Sequence, residues 1–236
     1  MIPAFNEEAA LPGSLTALRK ACDVYAVSGL GEAEVILVDN ASSDTTAQVA
    51  RAAGVRVVHE ARPGIAYARN AGATVASAPW LFFLDADTWV PPEVLVAVDA
   101  AMRGAGCIGG APATRYDYRK RSLRPYMEMW KLVARVRHMT QGVGQFVTAE
   151  AFAAIGGYPT DLQMAEDSEF NWRLRRLARQ RGEHTVYLVD TVIVPSSRRL
   201  DEWPVWKTVL MTNPLTTRLF LRSAWFWKGW RENAVR

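Results

Sequence analysis

The sequence is poor in the residues that build disulfide frameworks and metal cages. Its 236 residues hold only two cysteines and three histidines. Cys22 and Cys107 stand far apart, so they form neither a disulfide framework nor a metal-binding spacing. A reducing, intracellular setting is the expectation. Long apolar runs are missing too. No stretch of about 18 uncharged apolar residues occurs, so no membrane-spanning helix is expected. Met1-Ile2-Pro3-Ala4 has no basic segment leading into an apolar one, so no signal peptide is expected either. No internal repeat and no low-complexity linker interrupts the chain. The length and an ordinary apolar fraction of 50% leave one sizeable globular domain.

Charge is present but unevenly spread. Residues 1–100 carry 6 Lys/Arg against 12 Asp/Glu, and residues 101–236 carry 22 against 12. The net charge of +4 therefore joins an acidic half to a basic half. Two kinds of ligand meeting at one cleft would account for this, and so would two differently solvated faces. Charge alone does not choose between them.

The first hundred residues alternate apolar runs with helical patterns. Glu34-Val35-Ile36-Leu37-Val38-Asp39 reads as a buried strand ending in a carboxylate. Ser42-Ser43-Asp44 offers caps for a helix over residues 45–53, which Gly54 stops. Residues 55–59 read as a strand and 64–76 as a helix. Residues 80–84 read as a strand that runs into Asp85. Pro91-Pro92 opens a helix to Met102, with Asp99 expected on its solvated face. Strands alternating with helices indicate a parallel sheet covered on both faces. Ligands of such sheets bind beyond the carboxyl ends of the strands. Asp39, Asp85 and Asp87 fall at such ends and are expected to share one edge.

The second half is less regular. Helices are expected over residues 122–138 and 167–181, and strands over 145–148 and 186–194. At the other end, Ile2-Pro3-Ala4-Phe5-Asn6-Glu7 reads as the close of a first strand. Either that strand is very short or the sequence is truncated, and unpaired ladder groups would lower stability.

Asp85-Ala86-Asp87 places two carboxylates after an apolar strand. A hard cation such as Mg²⁺ or Mn²⁺ takes oxygen ligands of this kind together with diphosphate oxygens. Such a cation neutralises charge building on a departing diphosphate. Acidic pairs at strand ends are common, so the motif alone is weak evidence.

Four blocks in order strengthen it: Pro3-Ala4-Phe5-Asn6-Glu7-Glu8, Val38-Asp39-Asn40-Ala41-Ser42-Ser43-Asp44-Thr45-Thr46, Gly64-Ile65-Ala66-Tyr67-Ala68-Arg69-Asn70-Ala71-Gly72 and Phe83-Leu84-Asp85-Ala86-Asp87-Thr88. Together they resemble family 2 glycosyltransferases of the GT-A fold. Gly142-Val143-Gly144-Gln145-Phe146 and Phe152-Ala153-Ala154-Ile155-Gly156-Gly157-Tyr158 are similar to that family's acceptor-side segment. Glu166-Asp167-Ser168-Glu169-Phe170 is similar to its Glu-Asp motif. The resemblance covers residues 2–195.

It implies an α/β GT-A fold: a Rossmann-like, mostly parallel sheet flanked by helices, with an acceptor-side α+β half. Residues 1–236 would be one domain. Its nucleotide-sugar half is 1–100, its acceptor-side half 101–195, and its basic, aromatic extension 196–236. The implied reaction moves a sugar, with inversion, from a nucleoside diphosphate sugar (UDP-sugars favoured) to a glycan or lipid-linked acceptor. Mg²⁺ or Mn²⁺ is the implied cofactor, and cell-envelope, exopolysaccharide or glycolipid synthesis the implied setting. By the same resemblance Pro3, Ala4, Phe5 and Glu7 line the nucleotide pocket. Asp39 accepts from the base, most often uracil, and Arg69 contacts the nucleotide. Asp85 holds the ribose or metal with Ala86 beside it, and Asp87 holds the metal. Asp167 is the general base, with Glu166 next to it toward the acceptor or the diphosphate. Many relatives have a histidine near residue 196 as a further metal ligand, where this chain has Ser196-Ser197.

Other residues carry weaker expectations. Arg198-Arg199 could reach a diphosphate, since a guanidinium fork suits phosphate, or could be a solvated pair. His184 is expected at the surface, His59 as a structural residue and Asp44 as a helix cap. Arg115, Arg119, Lys120, Arg121 and Arg124 lie among Tyr116, Tyr118 and Tyr126. They could meet an anionic acceptor or lipid headgroups, or be ordinary surface. Trp225-Phe226-Trp227-Lys228-Gly229-Trp230-Arg231 fits an interfacial anchor, a self-association surface or a packed lid. A nucleic-acid partner is not expected; a cytoplasmic protein with peripheral contact at the membrane's inner face is. Three rivals stay open: a retaining GT-A transferase, a sugar nucleotidyltransferase, and an inactive binding module. The second usually opens on a glycine-rich phosphate loop, where this chain has Pro-Ala-Phe-Asn-Glu-Glu.

Overall fold

The computed structural model describes residues 1–137, 143–162 and 164–212. His138, Gly142 and the aromatic run over 225–231 lie outside the described residues.

Ile2–Ala4 (β1), Ile36–Asp39 (β2) and Arg56–His59 (β3) pair in parallel, in the order β1-β2-β3. Trp80–Phe83 (β4), Cys107–Thr114 (β5), Gln145–Thr148 (β6) and His184–Ile193 (β7) lie in the order β4-β6-β5-β7. Strand β6 is antiparallel to both neighbours, while β5 and β7 are parallel. Met1 joins the two groups. Its amino nitrogen donates to the Phe82 carbonyl at 2.6 Å, and the Leu84 N–H donates to the Met1 carbonyl at 2.9 Å. These are the bonds of a parallel ladder, so β1 and β4 run side by side with their carboxyl ends at one edge. The sheet is mostly parallel, as expected, with β6 reversed. The short first strand is bonded on both sides.

Successive residues of β2 face opposite ways, and both faces are apolar because both are covered. Leu37 packs with Leu11, Leu15 and Leu18 of Leu11–Val27 (α1). Ile36 and Val38 pack with Ala68 of Ile65–Val75 (α3). Gly72 lets α3 approach: a Cβ there would lie 2.9 Å from the Met1 sulfur and 3.0 Å from Val38. Thr46–Ala52 (α2) and Val94–Met102 (α4) complete the first half. Helix α1 has no counterpart in the sequence reading. Pro12 in its first turn suits a helix start rather than breaking it.

A second core lies under the other half. Phe83 of β4, Phe152 of Ala149–Ala154 (α6), Tyr158, and Phe170 of Glu166–Arg181 (α7) form one cluster of rings. Tyr158 and Phe170 stack at 4.2 Å between centroids, and Phe83 meets Tyr158 edge-on at 5.1 Å. Arg124–Arg137 (α5), Arg198–Glu202 (α8) and Val205–Thr212 (α9) complete the described helices. Among the described residues no helix is long and apolar enough to cross a membrane.

One expectation is corrected. Asp99 does not face solvent but is 2% exposed. Its carboxylate accepts from the Tyr25 hydroxyl at 2.7 Å and from Arg103. Tyr25 belongs to α1, the helix that pattern reading does not find, so its partner was invisible.

Candidate active site

The first wall of the site is a pair of polar loops at the carboxyl ends of β1 and β2. Asn6 (φ 54°) and Ala41 (φ 59°) both turn through the left-handed region, which few residues other than glycine adopt freely. Side chains hold the turns. Ser42 Oγ accepts from the Asn6 N–H at 3.1 Å, and Asn6 Oδ1 accepts from the Ser43 N–H at 2.8 Å. Thr46 Oγ1 accepts from the Glu7 N–H at 2.8 Å. Asp44 Oδ1 accepts from the Thr46 N–H at 2.9 Å just before α2, whose N-cap is Thr45, so Asp44 braces the turn into the helix rather than filling the cap position expected of it. These bonds fix Glu7 above the sheet edge. Pro3 and Ala4 are buried in β1 behind it, and Phe5 stays 47% exposed.

Asp39 lies opposite Ala4 in the ladder. Its Oδ1 accepts from the Ser42 N–H at 3.1 Å, and its Oδ2 lies 3.3 Å from His59 Nδ1. Next to it, buried Asn40 donates to the carbonyls of Glu60 (3.0 Å) and Arg62 (2.7 Å) and accepts from the Gly64 N–H (2.8 Å). That residue ties the loop after β3 to β2 and sets the start of α3.

The centre is Arg69, whose guanidinium is 2% exposed. It donates from Nη2 to Asp85 Oδ1 at 3.0 Å and from Nη1 to Glu166 Oε1 at 3.1 Å. Its Cζ lies 4.9 Å from the centre of the Tyr158 ring. The Asp-x-Asp turn after β4 and the Glu-Asp pair opening α7 thus meet at one side chain. Burying a guanidinium costs desolvation that ion pairs rarely repay as stability. Its presence here is better explained by positioning of the two carboxylates. Asp167 follows Glu166, with its Oδ1 accepting from the Ser168 N–H at 2.7 Å. Its carbonyl accepts from Gln145 Nε2 at 3.0 Å, and Gln145 Oε1 accepts from the Tyr158 hydroxyl at 2.8 Å. Ala165, just before this pair, is again left-handed at φ 60°.

The last wall comes from the chain after β7. Trp89 and Val194 exchange N–H and carbonyl at 2.9 Å each way, which fastens the Asp87 turn to that segment. Four residues on, Arg198 Nη2 donates to Asp87 Oδ2 at 2.9 Å and to Glu7 Oε2 at 2.7 Å. Ser196 Oγ accepts from Arg198 Nε at 3.1 Å. The side chain of Arg199 lies outside the described residues.

Electrostatics follow from this crowding. Burial pushes Asp85 above the usual carboxylate range, with Arg69 pulling the other way and Asp87 adding to the rise. Burial and then the neighbouring Asp167 push Glu166 up to about 7, against the pull of Arg69. Among the described residues no group of three His, Cys, Asp or Glu side chains forms a ready metal cage. Asp85 and Asp87 instead offer two carboxylates at one turn. That donor set fits a hard cation completed by phosphate oxygens and water, which is how Mg²⁺ commonly binds.

The structure therefore gathers Glu7 and Asp87 on Arg198 and Asp85 and Glu166 on Arg69, with Asp39 along the same sheet edge and the Asp85–Asp87 turn joining the two groups. Ala86 is buried at 3% exposure, its carbonyl accepting from Ser14. Within the basic cluster, the Arg119 backbone N–H donates to Asp201, Lys120 Nζ donates to the Trp203 carbonyl, and Arg115 pairs with Asp117. His184 is exposed, as expected. The sequence reading assigned no role to Asn40, Asn70 or Gln145. Asn70 bonds both the N–H and the carbonyl of Tyr158 at 2.9 Å. All three sit inside the quoted motif blocks, which was the available signal.

Comparison with known proteins places these features. Validoxylamine A glucosyltransferase of Streptomyces hygroscopicus subsp. jinggangensis is 29% identical over 185 residues, covering 75% of this chain and 40% of that protein. Undecaprenyl-phosphate 4-deoxy-4-formamido-L-arabinose transferase of Aeromonas hydrophila is 34% identical over 126 residues, covering 50% of this chain and 37% of that one. The chain spans about two fifths of the length of these curated relatives. A mannosyltransferase of Pyrobaculum calidifontis, solved with GDP-Man and Mn²⁺, superposes with a TM-score of 0.65 at 22% identity, over 82% of this chain and 55% of that one. That likeness shows a shared GT-A fold. The family model described as glycosyl transferase family 2 matches residues 1–154, well over half of the chain, and the protein belongs to that family.

Proposed function

We propose that the chain transfers a sugar from a nucleoside diphosphate sugar to an acceptor hydroxyl, with inversion at the anomeric carbon. The observation that carries this reading is the Arg69 bridge, which holds Asp85 and Glu166 at 3.0 and 3.1 Å. That bridge supports one site in which Asp85 serves the diphosphate and the Glu166-Asp167 pair serves the acceptor.

In this reading Pro3, Ala4, Phe5 and Glu7 flank the nucleotide, and Asp39 accepts from its base. Asp85 and Asp87 would hold a divalent cation, Mg²⁺ or Mn²⁺, which would offset charge on the leaving diphosphate when bound. Arg69 orients Asp85. Asp167 takes the proton of the acceptor hydroxyl as that oxygen attacks opposite the diphosphate. Glu166 stays anchored to Arg69 and shapes the acceptor side. UDP-sugars are the favoured donors. A glycan or lipid-linked acceptor in envelope, exopolysaccharide or glycolipid synthesis fits the basic residues around 115–124. The same residues support peripheral contact with the inner face of a membrane.

Titration calorimetry with UDP and GDP, with and without Mn²⁺, tests the donor site. Asp87→Ala should abolish the Mn²⁺-dependent part of nucleotide affinity; unchanged metal-dependent affinity would count decisively against the assignment. Asp167→Asn should leave nucleotide affinity near the wild-type value while turnover falls by roughly 10²–10⁴-fold, the usual contribution of a general base. Normal turnover in that variant removes Asp167 from the role. The anomeric configuration of the product separates an inverting from a retaining reaction.

A further inference from the structure

We infer that Arg198 is a resident counter-ion of the donor site, which holds Glu7 and Asp87 until a metal and a nucleotide arrive together. The inference rests on the donor-site reading above and adds a means of coupling the two ligands.

Glu7 and Asp87 meet at Arg198, and Asp85, two residues before Asp87, meets Arg69. The two arginines balance them and are built differently. Arg69 is 2% exposed, lies against the Tyr158 ring and is spent on Asp85 and Glu166. It cannot leave without stranding buried charge. Arg198 is 29% exposed and comes from a short helix beyond the last strand. One of its nitrogens, Nη2, serves both remaining acids: Glu7 at 3.0 and 2.7 Å and Asp87 at 2.9 Å. Among the described residues, the rest of its fork is tied to Ser196 Oγ alone, at 3.1 Å through Nε. Its backbone is registered on the Asp87 turn by the Trp89–Val194 bridge, so the side chain can move while its root stays in place.

A divalent cation that takes Asp87 competes with this guanidinium, which holds Asp87 Oδ2. Alone, the cation exchanges one favourable ion pair for another and gains little. A diphosphate changes the balance, because it offers the guanidinium a pair of acceptor oxygens in a geometry that suits its fork. Arg198 then turns from carboxylates to phosphate, and Asp87 is released to the metal. Each ligand raises the affinity of the other by the same factor, as linkage requires. The arrangement also disfavours idle metal binding at a site with no donor.

The test is calorimetry on the full chain with Mn²⁺ alone, with UDP or GDP alone in EDTA, and with both, for wild type, Arg198→Gln and Arg198→Lys. Removing one neighbouring charge should make Mn²⁺ alone bind Arg198→Gln roughly tenfold more tightly than wild type. Nucleotide in EDTA should bind that variant about tenfold more weakly, and the Mn²⁺–nucleotide coupling factor should shrink by at least as much. Arg198→Lys keeps the charge and should keep Mn²⁺-alone binding weak, while losing part of the nucleotide affinity that the fork supplies. Equal or weaker Mn²⁺ affinity in Arg198→Gln overturns the inference. If that variant does not fold, the wild type still decides: Mn²⁺ that binds as tightly alone as with nucleotide overturns it too. A wild type that binds neither nucleotide with Mn²⁺ removes the donor-site reading along with it. Normal nucleotide binding with no change in Mn²⁺ affinity on substitution removes the Arg198 role alone.

Discussion

The two sides of the site are built from different forces. On the side proposed to hold the donor, short polar side chains hold loop backbone: Ser42 on Asn6, Asn6 on Ser43, Thr46 on Glu7, and Asn40 on the loop after β3. On the side proposed to face the acceptor, Phe83, Phe152, Tyr158 and Phe170 pack as one block of rings beneath α7. Hydrogen bonds of the first kind are worth about 1 kcal/mol each but demand a particular residue at each position. Ring packing of the second kind carries several kcal/mol per side chain but tolerates changes that conserve volume. Geometry is therefore specified on the donor side, and stability is concentrated on the acceptor side.

The largest expected effect comes from breaking the ring block. Phe83 is 1% exposed and meets Phe152 at 5.5 Å, Tyr158 at 5.1 Å and Phe170 at 6.4 Å. Phe83→Ala should lower unfolding free energy in urea by about 3–5 kcal/mol, the usual cost of emptying such a site. Nucleotide affinity of the protein that remains folded should change little. A loss below about 1 kcal/mol would mean that the core relaxes into the space and that the two sides do not divide the labour as described.

The seam between the sides gives the next largest effect. Glu166 reaches back to Arg69 across it, and its pKa stands at about 7 where an ordinary glutamate titrates near 4.5. A carboxylate raised in the fold leaves stability intact below pH 4.5 and removes it as pH climbs through 7. At 1.36 kcal/mol per pH unit, the span between those values amounts to roughly 3 kcal/mol. Glu166→Gln should flatten that decline, so the variant gains on wild type between pH 5 and pH 8 in paired urea titrations. A constant difference across that range would show that Glu166 is ionised throughout and that the seam is an ordinary ion pair.

The difference between the sides also explains what could be read in advance. Asp39, Asp85 and Asp87 were legible because an apolar strand ending in an acid fixes where that acid stands. The blocks around Asn6, Asn40 and Asn70 were legible because their bonds admit few substitutes. Long-range pairing was not. Arg198 meets Glu7 and Asp87 across 191 and 111 residues, and while the Arg198-Arg199 pair stood out as able to reach a diphosphate, nothing local named those two acids as its partners. Strand β5 went unread because Gly109 and Gly110 interrupt its apolar pattern. Gly110 is required there, since a Cβ would come within 2.1 Å of the Val186 carbonyl oxygen. Asp99 was assigned to solvent because helical periodicity gives a face but not the neighbour covering it.

The smallest effect in energy tests the polar side most sharply. Asn40 is 6% exposed and makes three bonds to the backbone at Glu60, Arg62 and Gly64. Asn40→Ala leaves those groups without it and should cost about 2 kcal/mol, within the usual range for stranded buried polar groups. Its consequence for binding should be larger than that of Phe83→Ala, because the loop it anchors leads into α3 and so to Arg69. Hydrogen exchange should show lost protection at the Gly64 amide while the amides of β6 and α7 keep theirs. Asn40→Asp sharpens the comparison. It keeps the shape and the acceptor for Gly64, but it removes both donated bonds and sets a second carboxylate beside Asp39. If the polar side works through donated bonds, the aspartate variant should bind nucleotide at least as poorly as the alanine variant. If only space-filling matters there, aspartate should restore wild-type affinity, and the donor side would be held by packing like its counterpart.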